Sequence, residues 1–198
     1  MNERLSSLYL EKLKDLLNAF PHDRFEEIAR TILSAYDNES HIFIMGNGGS
    51  GSTASHFACD INKGSCFDID KKFKVICLND NIPTMLAYAN DLSYQSVFVE
   101  QLKNFLQSGD VVIGISGSGN SENVIRALTF AKEKGARTIG LTGFDGGKLA
   151  RVADIPFVVD INDMQKVEDV HMIVVHILMQ YLCKALSSGS SSDSCACS

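Results

Sequence analysis

A three-layer α/β domain, with a doubly wound parallel sheet and extra N-terminal helices, is the fold class this sequence predicts. Three observations carry that prediction. Short apolar runs alternate with amphipathic stretches along the chain. The run at 110–115 is apolar throughout after Asp110, as a strand covered on both faces requires. Two glycine- and serine-rich segments stand where such a run hands over to a helical stretch, the strand-to-helix turn of a βαβ unit.

Taken in order, Leu5, Leu8, Leu13, Leu16, Leu17 and Phe20 write an amphipathic first helix that Pro21 ends. Phe25, Ile28, Ala29, Ile32 and Leu33 write a second, closed by the polar stretch 37–40. Two helices ahead of the first strand exceed what a minimal αβ unit needs, so the first is expected to pack on a partner subunit. Strands follow at 41–45, 74–78, 110–115, 138–141 and 155–159. Between and after them, helices are expected near 52–62, 84–90, 94–106, 121–134, 147–152 and 166–186, with Gly135 as the glycine beyond a helix end. Residues 1–186 thus form one domain, its N-terminal helices lying within 1–37, and the Ser-rich stretch 187–198 is expected to be disordered.

The chain has 198 residues, 45% hydrophobic and 21% charged, which is a globular and not a disordered balance. Its formal net charge of −6 argues against nucleic acid or an anionic membrane as partner, so an anionic ligand must be held by local groups. No uninterrupted apolar run approaches the roughly 20 residues that span a bilayer, and Met1-Asn2-Glu3-Arg4-Leu5 lacks a signal-peptide core. A cytoplasmic protein is expected. Cys59, Cys66, Cys77 and Cys183 lie in apolar or helical contexts and read as reduced thiols, while Cys195 and Cys197 fall in the tail.

The two loops carry the chemistry. After the first strand comes Gly46-Asn47-Gly48-Gly49-Ser50-Gly51-Ser52, and after the third comes Ser116-Gly117-Ser118-Gly119-Asn120-Ser121. Glycines let backbone N–H groups approach an anion, serine hydroxyls add donors, and the following helix N-terminus favours negative charge. Neither loop ends in the Gly-Lys-Ser/Thr of a nucleotide loop, and neither fits the dinucleotide glycine pattern. A serine-rich cradle without lysine suits a phosphomonoester.

A second constellation lies on two helices. His56 and Asp60 are spaced to share one helix face, and Glu168 and His176 stand near one face of the last helix. Two histidines and two carboxylates suit either an oxygen/nitrogen metal site or an acid–base pair with supporting groups. His171 points away from His176 and reads as a core histidine.

The second loop resembles the signature of the sugar isomerase (SIS) domain family. Gly46 to Ser50, with His56-Phe57, Val170-His171 and His176-Ile177-Leu178, is similar to that family's sedoheptulose 7-phosphate isomerase (phosphoheptose isomerase) subfamily, from the N-terminal helices to about Leu186. The resemblance implies a flavodoxin-like sheet and a phosphorylated ketose substrate. Ser50, Ser116, Ser118 and Ser121 would hold the phosphate, with Gly48, Gly49, Gly117 and Glu168 among the substrate contacts. Asn47 and Asp91 would line the sugar pocket. His56, Asp60, Glu168 and His176 would bind zinc, with Asp60 as base at carbon and His176 as acid–base group at oxygen. The subfamily needs no organic cofactor and assembles as homotetramers with sites at subunit interfaces. The sequence departs from its pattern at Asp60 for glutamate, Glu168 for glutamine, Gly117 for threonine and Gly64 for arginine, with Lys63 beside it as a substitute. The implied reaction converts sedoheptulose 7-phosphate to D-glycero-D-manno-heptose 7-phosphate. The rival readings are an isomerase or epimerase of another ketose phosphate, and a non-catalytic regulatory protein that binds a sugar phosphate or a replication initiator.

Overall fold

The structure, a computed structural model, describes residues 4–67 and 69–187. Helices α1 (Leu5–Asn18) and α2 (His22–Asp37) precede β1 (His41–Gly46) and α3 (Gly49–Cys59). Then come β2 (Lys74–Cys77), α4 (Ile82–Asp91), α5 (Val97–Phe105), β3 (Val111–Ser116) and α6 (Glu122–Glu133). The chain closes with β4 (Arg137–Gly143), α7 (Gly147–Val152), β5 (Ile155–Val159) and α8 (Met164–Ser187). All five strands join one parallel sheet in the order β2-β1-β3-β4-β5, the flavodoxin-like winding.

Side chains alternate along each strand, so one strand feeds two cores. In β1, Ile42 and Ile44 join Ile113 and Ile115 of β3 under α2, α3 and α8. Phe43 and Met45 turn to the opposite face, where Val124, Ala127 and Leu128 of α6 and Phe98 and Leu102 of α5 cover them. Gly114 is required on that face: a Cβ there would lie 2.6 Å from Val124 Cγ1 and 2.7 Å from Leu128 Cδ1. Of the predicted α2 stripe, Phe25, Ile28, Ala29 and Ile32 are buried, while Leu33 is only partly buried against the same core.

Helix α1 buries no residue fully. Leu13 and Leu16 rest on the first core, and the Tyr9 ring lies 3.8 Å from the Lys166 ammonium while its hydroxyl donates to Asp169. Leu5 and Leu10 face outward, 81% and 63% exposed.

Several boundaries shift by a few residues from the sequence-based expectation, the helix expected from 94 beginning as α5 only at Val97, and the differences in α3 bear on the site. Helix α3 begins at Gly49 rather than near Ser52, because the loop glycines form its first turn: Gly51 and Ser52 donate to the Gly48 carbonyl at 3.0 and 3.1 Å. Beyond Cys59 the helix widens into a π-turn, Asp60–Gly64, which begins at the predicted base. Helix α8 is long and apolar enough, by length and composition, to cross a membrane. Here Val167, Val170, Val174, Val175, Leu178 and Leu182 are buried in the first core. Cys59, Cys66 and Cys77 are free thiols, and Cys183 is not among them. The tail predicted to be disordered falls on 188–198, outside the described residues, and Ser187 closes α8.

Candidate active site

The chain order of the strands reverses between β1 and β3, and open α/β sheets bind ligands outside the carboxyl ends of the strands at such a point. Gly46 of β1 is the register partner of Ile115 of β3. The loops that follow therefore leave the sheet side by side.

They enclose a cavity of about 310 Å³ lined by Asn47, Gly48, Gly49, Ser50, Ser116, Gly117, Ser118 and Ser121, with Ile115, Met164 and Glu168 completing the wall. Gly49 and Ser50 sit in the first turn of α3, where amides have no intrahelical acceptor. Gly48, at φ +54, makes the left-handed turn that begins the helix. In the second loop the Ser116 hydroxyl donates to Ser121 Oγ at 3.0 Å, and Gly119 N donates to the Ser116 carbonyl at 2.9 Å. No lysine or arginine is among the lining residues, so an anion placed here would meet only hydroxyl and amide donors.

Glu168 belongs to this cavity. A Cβ on Gly49 would lie 2.7 Å from Glu168 Oε1, so glycine is needed for the carboxylate to approach. Gly117 likewise leaves room for the Met164 sulfur, which occupies the space a side chain at 117 would need. Asp91, at the end of α4, is exposed and not among the lining residues; its carboxylate accepts from Asn90 Nδ2 at 2.8 Å. Lys63 reaches the Phe67 ring, 5.6 Å from its centroid.

His56, Asp60 and His176 converge. Nε2 of His56 stands 3.1 Å from Asp60 Oδ2 and 3.1 Å from His176 Nε2. One imidazole nitrogen carries at most one proton, so it cannot donate to both neighbours at once. One ligand atom from each of the three residues lies within 4.8 Å of the others. Two imidazoles and a carboxylate are a donor set that fits zinc or a similar divalent ion. Glu168 does not join this group.

His171 lies elsewhere. It is buried, and its Nε2 donates to the Thr142 carbonyl at 3.1 Å, which leaves Nδ1 without a partner. Sequence reasoning also missed two residues beside Asn47: Asn123 of α6 exchanges a pair of 2.9 Å hydrogen bonds with it, and Tyr94 donates to it at 2.8 Å.

A SIS domain matches this chain over residues 8–143. The phosphoheptose isomerase of Trichlorobacter lovleyi is 37% identical over 181 residues, covering 88% of this chain and 91% of that protein. The Helicobacter pylori (strain P12) phosphoheptose isomerase is 35% identical over 85% of this chain and 83% of its own length. The structure of phosphoheptose isomerase from Neisseria gonorrhoeae superposes with a TM-score of 0.84 at 28% identity, covering 91% of this chain and 97% of that one. The chain belongs to the SIS domain family and, within it, to the phosphoheptose isomerases.

One prediction concerns His171. Burial pushes its pKa down from 6.5 to about 4, partly opposed by the Thr142 hydrogen bond. Below pH 6.5 the unfolded chain takes up a proton that the folded protein refuses, so stability is present above that value and falls as pH drops toward 4. Urea unfolding across this window should show a loss of about 3 kcal/mol from this group, absent in His171→Gln. The same pH slope in the variant would contradict the assignment.

Proposed function

We infer that this chain is a ketose–aldose isomerase that converts sedoheptulose 7-phosphate to D-glycero-D-manno-heptose 7-phosphate. The observation that carries the reading is the way α3 and α8 run side by side. Gly49 meets Glu168 at the serine-loop cavity, and His56 meets His176 farther along the same two helices. At 1.5 Å per residue these steps place the two ends roughly 10 to 12 Å apart along the helix axes. An open-chain sugar with a terminal phosphate has its anion at one end and its carbonyl at the other, which suits that separation.

Ser50, Ser116, Ser118 and Ser121, with the amides of Gly48, Gly49 and Gly117, hold the phosphate. Asn47 and Glu168 face the sugar, and Asp91 is proposed to reach it in the assembled protein. Asp60 takes a proton from C1 and returns it to C2 through an enediol(ate), while His176 moves a proton between O1 and O2. The proton lost at C1 is regained at C2, so no oxidant, reductant or organic cofactor is needed. His56 stands 3.1 Å from both groups and orients them. His56, Asp60 and His176 are the residues that would hold zinc, and Glu168 supports the site from the cavity side. A metal bound there supplies Lewis-acid polarisation of a substrate oxygen.

The enzyme is proposed to act in the cytoplasm as a homotetramer. The exposed Leu5 and Leu10 of α1 support that assembly, since they lie on the outer face of a helix that buries no residue fully in this chain. Light scattering at micromolar concentration should return a tetramer's mass; a monomer sinks this part of the reading.

Product NMR should show aldose phosphate formed from sedoheptulose 7-phosphate by the wild type. Asp60→Asn and His176→Ala should each lower turnover by about 10²- to 10⁴-fold. Wild-type rates in both variants would show that the acid–base groups lie elsewhere.

A further inference from the structure

Asn47, Asn123 and Tyr94 form a hydrogen-bonded chain across the crevice between the two loops, and its direction is fixed from one end. The Val124 backbone N–H donates to Asn123 Oδ1 at 3.0 Å. A backbone amide can only donate, so this oxygen cannot be exchanged with the amide nitrogen of Asn123. Asn123 must therefore present Nδ2 to Asn47, and it donates to Asn47 Oδ1 at 2.9 Å. The orientation of Asn47 follows: its oxygen faces Asn123, and its own Nδ2 returns a 2.9 Å bond to Asn123 Oδ1. Tyr94 then has no choice of role, and its hydroxyl donates to Asn47 Oδ1 at 2.8 Å.

The inventory of the Asn47 side chain is then nearly complete. Its carbonyl oxygen has two lone pairs, and two donors occupy them. Its amide nitrogen has two hydrogens, and Asn123 Oδ1 takes one. The second N–H is the one hydrogen-bonding group of this side chain without a protein partner among the described residues. Asn47 lines the serine-loop cavity. Asn123 is 2% exposed, behind Asn47 and away from solvent.

We propose that Asn123 and Tyr94 are positioning residues that lock Asn47 as a pure hydrogen-bond donor toward the sugar. The inference rests on the isomerase reading above and deepens it. A free asparagine amide offers a donor and an acceptor and accommodates a hydroxyl or a carbonyl equally. A locked one, with its oxygen occupied, favours an oxygen that accepts: a ketose carbonyl or hydroxyl lone pair, and above all an oxygen gaining charge as the enediolate forms.

The test is a double-mutant cycle read by calorimetric binding of sedoheptulose 7-phosphate and, separately, of inorganic phosphate. Asn123→Ala should weaken ketose phosphate binding by about tenfold, the worth of one oriented hydrogen bond, and Tyr94→Phe by a smaller factor. Neither should change the affinity for inorganic phosphate, which the serine loops hold. In an Asn47→Ala background, neither substitution should weaken sugar binding further, because both act through Asn47. Equal losses with and without Asn47, or a parallel loss of inorganic phosphate binding, would show a general structural role and overturn the proposal. Unchanged ketose phosphate affinity in Asn123→Ala and Tyr94→Phe would overturn it as well. If Asn123→Ala does not fold, the Tyr94→Phe arm of the cycle decides alone, since Tyr94 is half exposed. Failure of the wild type to bind the ketose phosphate at all would instead sink the functional reading on which this inference stands.

Discussion

In the parallel ladder between β1 and β3, Ile42 pairs with Val111 and Gly46 with Ile115, so both strands end at the same level of the sheet. The anion cradle of the candidate site depends on that pairing. It sets two strand-to-helix loops next to each other, points the N-termini of α3 and α6 into one crevice, and lets Asn47 reach Asn123. A parallel pair with β2 between them would leave the same sequences too far apart to enclose an anion. The sheet order puts β2 outside β1 and leaves the crevice clear.

Glycine placement converts that pairing into a cavity. Gly114 lets α6 settle onto β3, and Gly49 lets the Glu168 carboxylate lie against the start of α3. Gly119, at φ +65, turns the second loop against Gly146, where no Cβ fits. The result is a cradle of N–H and O–H donors with no fixed positive charge among its lining residues. Such a cradle matches a chain whose net charge is −6, because the binding energy comes from short-range donors and not from the field of the molecule.

Much of this was legible in the sequence, for local reasons. The loops announce themselves by composition, and their position after apolar runs fixes which end of the sheet they occupy. His56 and Asp60 share a face because helical spacing requires it, and the structure holds them 3.1 Å apart. Spacing was less informative for Glu168. It told that Glu168 and His176 stand near one side of α8, but not that Gly49 brings the Glu168 end against the serine-loop cavity and away from the histidines. Asn123 and Tyr94 gave no sequence signal at all, since their partner lies 76 and 47 positions away and only the folded chain joins them. The π-turn beginning at Asp60 was equally hidden, because no residue type marks a widened helix turn. The missed contacts join elements far apart in the chain, which periodicity does not encode.

The placement proposed for a linear sugar phosphate runs along α3 and α8, with its phosphate in the serine cradle and its carbonyl end at His56, Asp60 and His176. A crystal structure of the protein with sedoheptulose 7-phosphate tests it most directly. Phosphate oxygens are expected within hydrogen-bond distance of the hydroxyls of Ser116, Ser118 and Ser121, and C1 and C2 beside Asp60 and His176. Phosphate found instead in the cavity at the opposite end of the sheet, lined by Arg30 and Arg137, would contradict it.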